Sequence, residues 1–314
     1  MHNTPSNVES PTRKLAAFAA ALRTDDIPTD VVEQIKMHML DGIGVCLHGA
    51  RLPWTKHVAE IAMAEQCTPV ATLWGDGRRT SVQQAVLVNA TAGHAFEMDD
   101  IHKDSVTHPN SLAVPVVLAL AESRPGTSGS EAMAALVAGT EVGTRVGNAA
   151  TTALFLNGFH PQGTSGAFVA AASAGRLLGL DTDAMQHTLG IAGSMGAGLM
   201  AAQEGAMIKR LHCGRAAQAG VHAAVLAKRG FTGISNILEA SYGGFLSSFG
   251  REYKIERLLE GLGSDWEAGK VGYKMYPNVT SIHAALDGFK SLQQKHKLQA
   301  GDIQRIDVGC GHMT

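Results

Sequence analysis

The stretch DVVEQIKMHMLDGIGVC, residues 30–46, carries the pattern that decides the fold class. Its apolar residues recur at intervals of three and four, which is the period of one face of an α-helix. They are Val32, Ile35, Met39, Ile43 and Cys46. Asp30 and Glu33 stand at the spacing of a capping box and predict the start of this helix. The stretch therefore predicts a long amphipathic helix near the beginning of the chain.

Similar helical signals follow along most of the chain. Ser81 and Ser128 are each followed three residues later by Gln or Glu, which predicts two further helix starts. Helices are also expected over residues 163–178, 212–229 and 253–261. Three glycines at helical spacing, Gly190, Gly193 and Gly196, predict a close contact between packed helices. The sequence thus indicates a mainly α fold.

Strand signals are few. Val70–Trp74 is one short candidate, and the alternating segment Ile303–Val308 predicts a strand over residues 303–310. A lone strand near the C-terminus would leave its backbone groups unpaired, so we expect this second region to be incomplete. The expected organisation is a disordered leader over 1–12, an all-α domain over 13–265, and the beginning of a small α+β domain over 266–314.

Composition excludes several function classes. The chain of 314 residues holds 26 basic and 28 acidic residues, which gives a formal net charge of −2. This balance argues against a nucleic-acid partner and against a polybasic membrane-binding surface. Hydrophobic residues make up 45% and charged residues 17%, a composition typical of a globular protein with a sizeable core.

The four cysteines and the N-terminal residues favour a cytoplasmic protein. Cys46, Cys67, Cys213 and Cys310 show no paired spacing, which argues against a disulfide framework and a structural zinc site. The N-terminal residues are polar and lack the pattern of a signal peptide. The longest apolar run, Leu112–Ala121, is about half the roughly 20 residues that a membrane-spanning helix needs.

The densest polar segment is GHAFEMDDIHKDSVTHPN, residues 93–110. Its titratable residues are His94, Glu97, Asp99, Asp100, His102, Asp104 and His108. Clustered carboxylates and imidazoles suit general acid–base catalysis, because burial and mutual proximity move their pKa values. Glu97 and Asp100 would share a helix face if the preceding helix extends to them. The alternative is a solvated loop, and a metal site is disfavoured because no HExxH-like pair is present.

Three further segments add candidate residues. GFHPQGTSG, residues 158–166, places a histidine before a helix start, where exposed N–H groups favour anions. GAMIKRLHCGRAA, residues 205–217, and GYKMYPNVTSIHAALDG, residues 272–288, supply cations for an anionic substrate. The candidates are His160, Lys209, His212, Arg215 and Lys274. The alternatives are a simple helix cap, a solvated helix start and an ordinary loop lysine.

Taken in order, four motifs resemble the MmgE/PrpD family, which includes 2-methylcitrate dehydratase, cis-aconitate decarboxylase and iminodisuccinate epimerase. The motifs are HAFEMDDIHKDSVTHP, GFHPQGTSGAF, KRLHCGRAAQAG and YKMYP. The resemblance spans about residues 12–314. It implies a large all-helical domain with a smaller α+β lid, a homodimer, and an active site between the two domains that needs no metal or organic cofactor. Family chains are considerably longer than this one.

The resemblance also implies roles for individual residues. By motif, the catalytic positions fall on Glu97, with Asp99 and Asp100 behind it, and on His108 and His160. The substrate lysines fall on Lys209 and Lys274, and His212 beside Lys209 is a further substrate-binding candidate. The chain departs from the family at three positions. Glu97 replaces an aspartate, Ile101 stands where relatives often have threonine, and Val279 stands where some decarboxylases have histidine.

These residues predict a cofactor-free lyase of the dehydratase type that acts on a small di- or tricarboxylate. A base would remove a proton α to a carboxylate, and the lysines would offset the charge that develops. An epimerase or a decarboxylase using the same groups is one alternative. A non-catalytic, truncated homologue is another.

Overall fold

The computed structural model describes residues 10–311 as a mainly α-helical protein. The first helices are α1 (Pro11–Ala21), α2 (Thr29–Gly49), α3 (Pro53–Ala64), α4 (Val82–Gly93), α5 (Asn110–Glu122) and α6 (Gly129–Leu156). They are followed by α7 (Gly166–Leu177), α8 (Thr182–Met195), α9 (Ile208–Lys228), α10 (Phe245–Phe249) and α11 (His283–His296). Short 3-10 turns lie at 24–26, 200–204, 255–258, 267–270, 280–282 and 300–302. Every helix in the described range is too short or too polar to span a membrane.

Helix α7 lies at the centre of the bundle and contacts α5, α6, α8 and α9. Nearly all its residues are buried, and most of them are alanine or glycine. Gly139 and Gly143 on α6 face it, and a Cβ on Gly143 would come within 2.1 Å of the Val169 side chain. Small residues therefore allow the helices of this core to approach closely.

The glycine spacing on α8 is also explained. A Cβ on Gly190 would lie 2.3 Å from the carbonyl oxygen of Ile234, and one on Gly193 would lie 2.6 Å from the Ile237 side chain. The spacing does mark a close approach, but its main partner is the non-helical segment around residue 234, and the helix α7 meets it only through the Phe168 side chain, 2.8 Å from a Cβ on Gly193.

The helix boundaries differ in detail from the expectations. Ser81 and Ser128 cap α4 and α6, as predicted, with Glu131 completing a capping box. Helix α2 instead begins at Thr29 after Pro28, without a side-chain cap, because proline at the N-cap already fixes the backbone there. The predicted leader lies outside the described residues as far as residue 9, while Ser10 caps α1.

Strand is confined to one small hairpin within residues 10–311. β1 (Ala71–Thr72) pairs antiparallel with β2 (Arg79–Thr80), inside the first region where a strand was expected. The strand predicted over residues 303–310 is wrong, because this segment is exposed coil and has no partner strand among the described residues. Alternating apolar and polar residues would give a strand one apolar and one polar face, but a strand forms only where a neighbouring strand pairs its backbone N–H and C=O groups. The described part of 266–314 accordingly holds α11 and short turns, without the expected α+β element.

Candidate active site

Four separate segments bring their polar side chains to one place beside α4, α5 and α9. They are the loop 94–109 between α4 and α5, the turn 158–165 before α7, the first turn of α9, and the segment 272–278. Glu97 and Asp100 do not share a helix face, because α4 ends at Gly93. Loop 94–109 and segment 272–278 are joined by an antiparallel bridge between Ile101 and Gly272.

A second link fixes the same loop. His102 Nε2 lies 2.8 Å from Glu267 Oε2, and both side chains are almost completely buried. Asn148 on α6 donates to the same carboxylate at 3.0 Å. Burial opposes ionisation of Glu267, but hydrogen bonds from His102 and Lys270 lower its pKa to about 2. His102 is therefore a structural residue that anchors the loop, and the titratable residues of the site lie on either side of it in sequence.

Glu97 is the centre of a group of three cations. Its Oε1 lies 2.5 Å from both Lys209 Nζ and Arg210 Nη1, and its Oε2 lies 3.5 Å from Lys274 Nζ. Burial disfavours the charged carboxylate, but His94 and Lys209 hold the pKa of Glu97 below its usual range. Lys209 and Arg210 stand in the first turn of α9, where the helix dipole repels cations, so the carboxylate also compensates for their position.

Asp99 is the second carboxylate of the site and is buried. Its Oδ2 accepts a hydrogen bond from His94 Nδ1 at 2.7 Å and lies 3.6 Å from His108 Nδ1. Its Oδ1 lies 3.7 Å from Lys274 Nζ. Burial acts against the charge, but His108 and His94 keep the pKa of Asp99 well below its ordinary value. Asp99 thus orients two imidazoles and shares Lys274 with Glu97.

His108 is held as a neutral base. Its Nδ1 donates to the backbone oxygen of Asp100 at 2.5 Å, which leaves the lone pair on Nε2. Burial is the main reason that the pKa of His108 falls to about 4. Its Nε2 accepts no hydrogen bond from any residue between 10 and 311. A neutral imidazole with a free nitrogen can take a proton at neutral pH.

His160 and His212 form a direct pair, with their Nδ1 atoms 3.0 Å apart. Such a contact requires one ring to donate a proton and the other to accept it. Burial lowers the pKa of His160 well below its ordinary value and also lowers that of His212. Both rings are therefore neutral at pH 7, and they share one proton between the two Nδ1 atoms.

The four histidines form a continuous series of rings, in the order His108, His94, His160, His212. Consecutive ring centroids are 5.1, 5.4 and 5.2 Å apart. His94 is completely buried and lies in the middle, and its Nε2 has no hydrogen-bond partner in the described chain. Buried unpaired polar atoms are uncommon and cluster at functional sites. The series extends from the buried carboxylates to the half-buried His212.

Asp100 and Arg215 lie apart from this arrangement. Both carboxylate oxygens of Asp100 accept from the backbone N–H of Asn110 at 3.1 Å, at the start of α5. Burial raises the pKa of Asp100 well above its ordinary value. Arg215 is exposed and bonds Gln218 on the same helix. We therefore assign Asp100 to the N-terminus of α5 rather than to the reacting groups.

The sequence arguments did not select two residues of the site, His94 and Arg210. His94 was present in the polar segment, but its position after a helix end gave no reason to prefer it over His102. Arg210 also donates to the backbone oxygen of His94 at 3.1 Å, in addition to its pairing with Glu97. Its adjacency to Lys209 was visible, but only the turn geometry shows that both side chains reach one carboxylate.

One group of side chains has the composition of a metal site. Donor atoms of His94, Asp99 and His108 all lie within 4.8 Å of one another. Two imidazoles and a carboxylate suit a transition metal. His94 Nδ1 is bonded to Asp99 and His108 Nδ1 to the Asp100 carbonyl, which leaves Nε2 of each ring without a hydrogen-bond partner in the described chain. A free Nε2 can ligate a metal or take a proton, so the hydrogen bonds are compatible with both kinds of chemistry.

A groove of about 880 Å³ runs along α9. It is mostly apolar and lies beside the group of cations, not on it. His212 forms one part of its lining, together with Gly163, Gly198 and Ala216. The groove therefore meets the histidine series at its half-buried end.

Residues 13–257 match the family model described as the MmgE/PrpD N-terminal domain. The chain belongs to the MmgE/PrpD family. Among the curated members, a cis-aconitate decarboxylase of Aspergillus terreus is 36% identical over 296 residues, covering 91% of this chain. A cis-aconitate decarboxylase-like protein of Aspergillus oryzae, oryM, is 34% identical over 315 residues, covering 95% of it. The human cis-aconitate decarboxylase is 29% identical over 91% of the chain.

The matches cover 60%, 65% and 60% of those three relatives, so this MmgE/PrpD chain spans about three fifths of their length. The family resemblance predicted from the ordered motifs is confirmed, as is the mainly α fold. The roles predicted for Glu97, Asp99, His108, His160, Lys209, Lys274 and His212 stay predictions, although the structure brings these residues together.

Proposed function

We propose that the site is that of a lyase acting on a small di- or tricarboxylate. The main support for the proposal is the group of three cations around Glu97, which lies next to the series of four histidine rings. Charge-assisted contacts from lysine and arginine are well suited to carboxylate recognition. Substrate carboxylates would bind to Lys209, Arg210 and Lys274. Glu97 would then either leave these cations or share them with the substrate.

The same cations would stabilise the reaction. Removing a proton α to a carboxylate, or losing carbon dioxide, places extra negative charge on a substrate that is already anionic. Fixed positive groups that lie where this charge develops lower the barrier. Lys274 is almost completely buried, so its charge is weakly screened and acts strongly on a bound substrate.

Decarboxylation of an unsaturated tricarboxylate is the first candidate reaction. The curated relatives are named as cis-aconitate decarboxylases. In this reaction the carbon–carbon bond to one carboxylate breaks, carbon dioxide leaves with neutral charge, and the bonding electron pair remains on the substrate. A proton is then added to carbon from an imidazole, and His108 and His160 lie in the histidine series that would supply it.

Dehydration of a 2-hydroxy tricarboxylate is the second candidate. Val279 favours it, because some decarboxylases that the motifs resemble have histidine at this position, and Ile101 lacks the hydroxyl of the threonine that relatives often have there. Here His108 Nε2 would take the α-proton, and a second imidazole would protonate the departing hydroxyl. Epimerisation would use the same proton removal and return the proton to the opposite face.

One experiment separates these reactions. The chain is incubated in D2O with cis-aconitate, citrate or 2-methylcitrate, and products are followed by NMR together with carbon dioxide release. Decarboxylation releases carbon dioxide and gives a deuterated product, dehydration gives a new alkene, and epimerisation gives exchange with unchanged connectivity. A folded chain that neither binds nor changes any of these substrates would refute the lyase proposal and favour a non-catalytic helical protein.

Variants test the assigned roles. His108→Ala should lower kcat by about 10²–10⁴-fold, the usual effect of losing a general acid or base. Lys209→Ala should chiefly raise KM, because it removes a carboxylate-binding cation. Lys36→Ala is a matched control, since Lys36 is an exposed lysine on α2 whose partner is Glu33. A cytoplasmic homodimer, which only the family resemblance and the composition imply, is part of the same proposal, and sedimentation tests the dimer.

A further inference from the structure

The histidine series has one end in the buried site and the other in a solvent-open groove. His160 is buried, whereas His212 is half-buried and lines the groove of about 880 Å³ along α9. The two rings share a proton across the 3.0 Å contact between their Nδ1 atoms. In this arrangement His212 touches His160 on one side and the groove on the other.

The surroundings fix this pair in place. The carbonyl oxygen of His160 accepts from Thr164, and its backbone N–H donates to the carbonyl oxygen of Gly198. A Cβ on Gly198 would lie 3.1 Å from the His212 ring and 3.3 Å from His160 Cβ. A side chain at this position would need the rings to move by a few tenths of an ångström, so the backbone of Gly198 packs closely against the two histidines.

We propose that His212 is a proton shuttle that connects the buried imidazoles of the site with solvent in the groove. The proposal rests on the proposed lyase function. It assigns His212 a different role from the substrate binding expected from its neighbour Lys209. In the described chain the His212 ring hydrogen-bonds only to His160, and its residue lines the groove, although it stands one helical turn after Lys209 on α9.

The proton balance shows what the shuttle does. In decarboxylation, one carboxylate leaves as neutral carbon dioxide, and the carbon that it leaves takes up one proton in every turnover. His160 gives that proton from Nε2 while its Nδ1 accepts the Nδ1 proton of His212. His212 Nε2 then accepts a proton from water or a buffer acid in the groove. Both rings are neutral before and after, and one proton from the groove has replaced the proton given to the substrate. The two rings then hold the opposite tautomers, so reorientation of the rings and exchange of their N–H protons with water in the groove must restore the starting arrangement of donor and acceptor before the next turnover.

The test is chemical rescue in a weakly buffered solution. His212→Ala should lower turnover by about tenfold, less than the loss for a group that touches the substrate, because water can still reach His160 slowly. Added imidazole, which can enter the groove at the vacated position, should restore much of the lost rate. His222→Ala is the matched control, since His222 lines the same groove on the same helix and its side chain makes no hydrogen bond to a site residue in the described chain. It should neither lose rate nor respond to imidazole.

A second measurement keeps the proposal testable without turnover. NMR exchange of the His160 ring N–H proton with solvent should become slower in a His212→Gln variant, in which the imidazole that would relay the proton is replaced by an amide. Turnover in His212→Ala equal to wild type, or a loss that imidazole does not restore, would overturn the shuttle while leaving the lyase proposal intact. Absence of any turnover in the wild-type chain would instead refute the lyase proposal, and unchanged ring-proton exchange in His212→Gln would overturn the shuttle in that case too.

Discussion

Replacing Glu97 by glutamine tests the electrostatic design of the site. Glu97→Gln keeps the size of the side chain and removes its charge, which leaves Lys209, Arg210 and Lys274 without their shared counterion. Removing one partner of a buried ion pair costs about 3–5 kcal/mol, because the remaining charge is left uncompensated. Since 17% of the Glu97 side chain is exposed, solvent relieves part of this cost, and we expect a loss of about 3 kcal/mol in the free energy of unfolding.

The assay is equilibrium unfolding in urea, with and without citrate as a polycarboxylate probe. A ligand that binds only the folded state stabilises it in proportion to its affinity. In Glu97→Gln the probe does not compete with an internal carboxylate for the three cations. Citrate should therefore stabilise the variant more than it stabilises the wild-type chain.

Glu33→Gln is the matched control, because its ion pair with Lys36 has the same 2.5 Å distance on the exposed face of α2. Exposed pairs of this kind contribute about 0.3–0.5 kcal/mol. If Glu97→Gln destabilises the chain no more than Glu33→Gln, or if citrate stabilises both variants equally, the three cations are not an organised carboxylate site.

Three other changes have expected outcomes. Burial lowers the pKa of His108 to about 4, below the value of about 6.5 in the unfolded chain, so folding loses stability as the pH falls from about 6.5 to 4. Between pH 7 and pH 4 the free energy of unfolding in urea should therefore fall by about 3 kcal/mol more in the wild type than in His108→Gln, and equal decreases would contradict the lowered pKa. Gly190→Ala should destabilise the chain by about 1–3 kcal/mol in thermal unfolding, because the added Cβ would lie 2.3 Å from the carbonyl oxygen of Ile234. No change in stability would mean that the segment around Ile234 can move away at little cost. Ser128→Ala should lower the free energy of unfolding by about 1 kcal/mol in the same assay, because it removes the hydroxyl that accepts the backbone N–H of Glu131. An unchanged melting temperature would show that this cap does not contribute to stability.

The helices were predictable because their signals are local. Ser128 and Glu131 form a capping box within one turn, and periodic apolar residues require only that one face be covered. The exact face was less predictable. The buried residues of α2 include Val31 and His38 rather than Val32 and Met39, because the neighbouring helices determine which side is covered.

The site was predictable only in part, since its geometry is tertiary. The ordered motifs identified Lys209 and Lys274, but nothing in the sequence shows that their ammonium groups meet at one carboxylate. Arg210 was missed for this reason. The error at 303–310 has a similar cause, because a strand depends on a partner that the described residues do not contain.

The backbone of the loop 94–109 shows why local sequence patterns do not predict the conformation of the candidate site. Glu97 and Val106 both have positive φ, 61° and 53°, a conformation that side chains other than glycine adopt at a cost. Such residues persist only where surrounding contacts overdetermine them. For Glu97 these contacts are its ion pairs to α9 and to segment 272–278, so the interactions that would bind substrate also hold the loop in its strained form. Under the proposed function, a substrate carboxylate that took over the cations would also release the constraint on Glu97, and binding at this site would then be coupled to the conformation of the loop that carries Asp99 and His108.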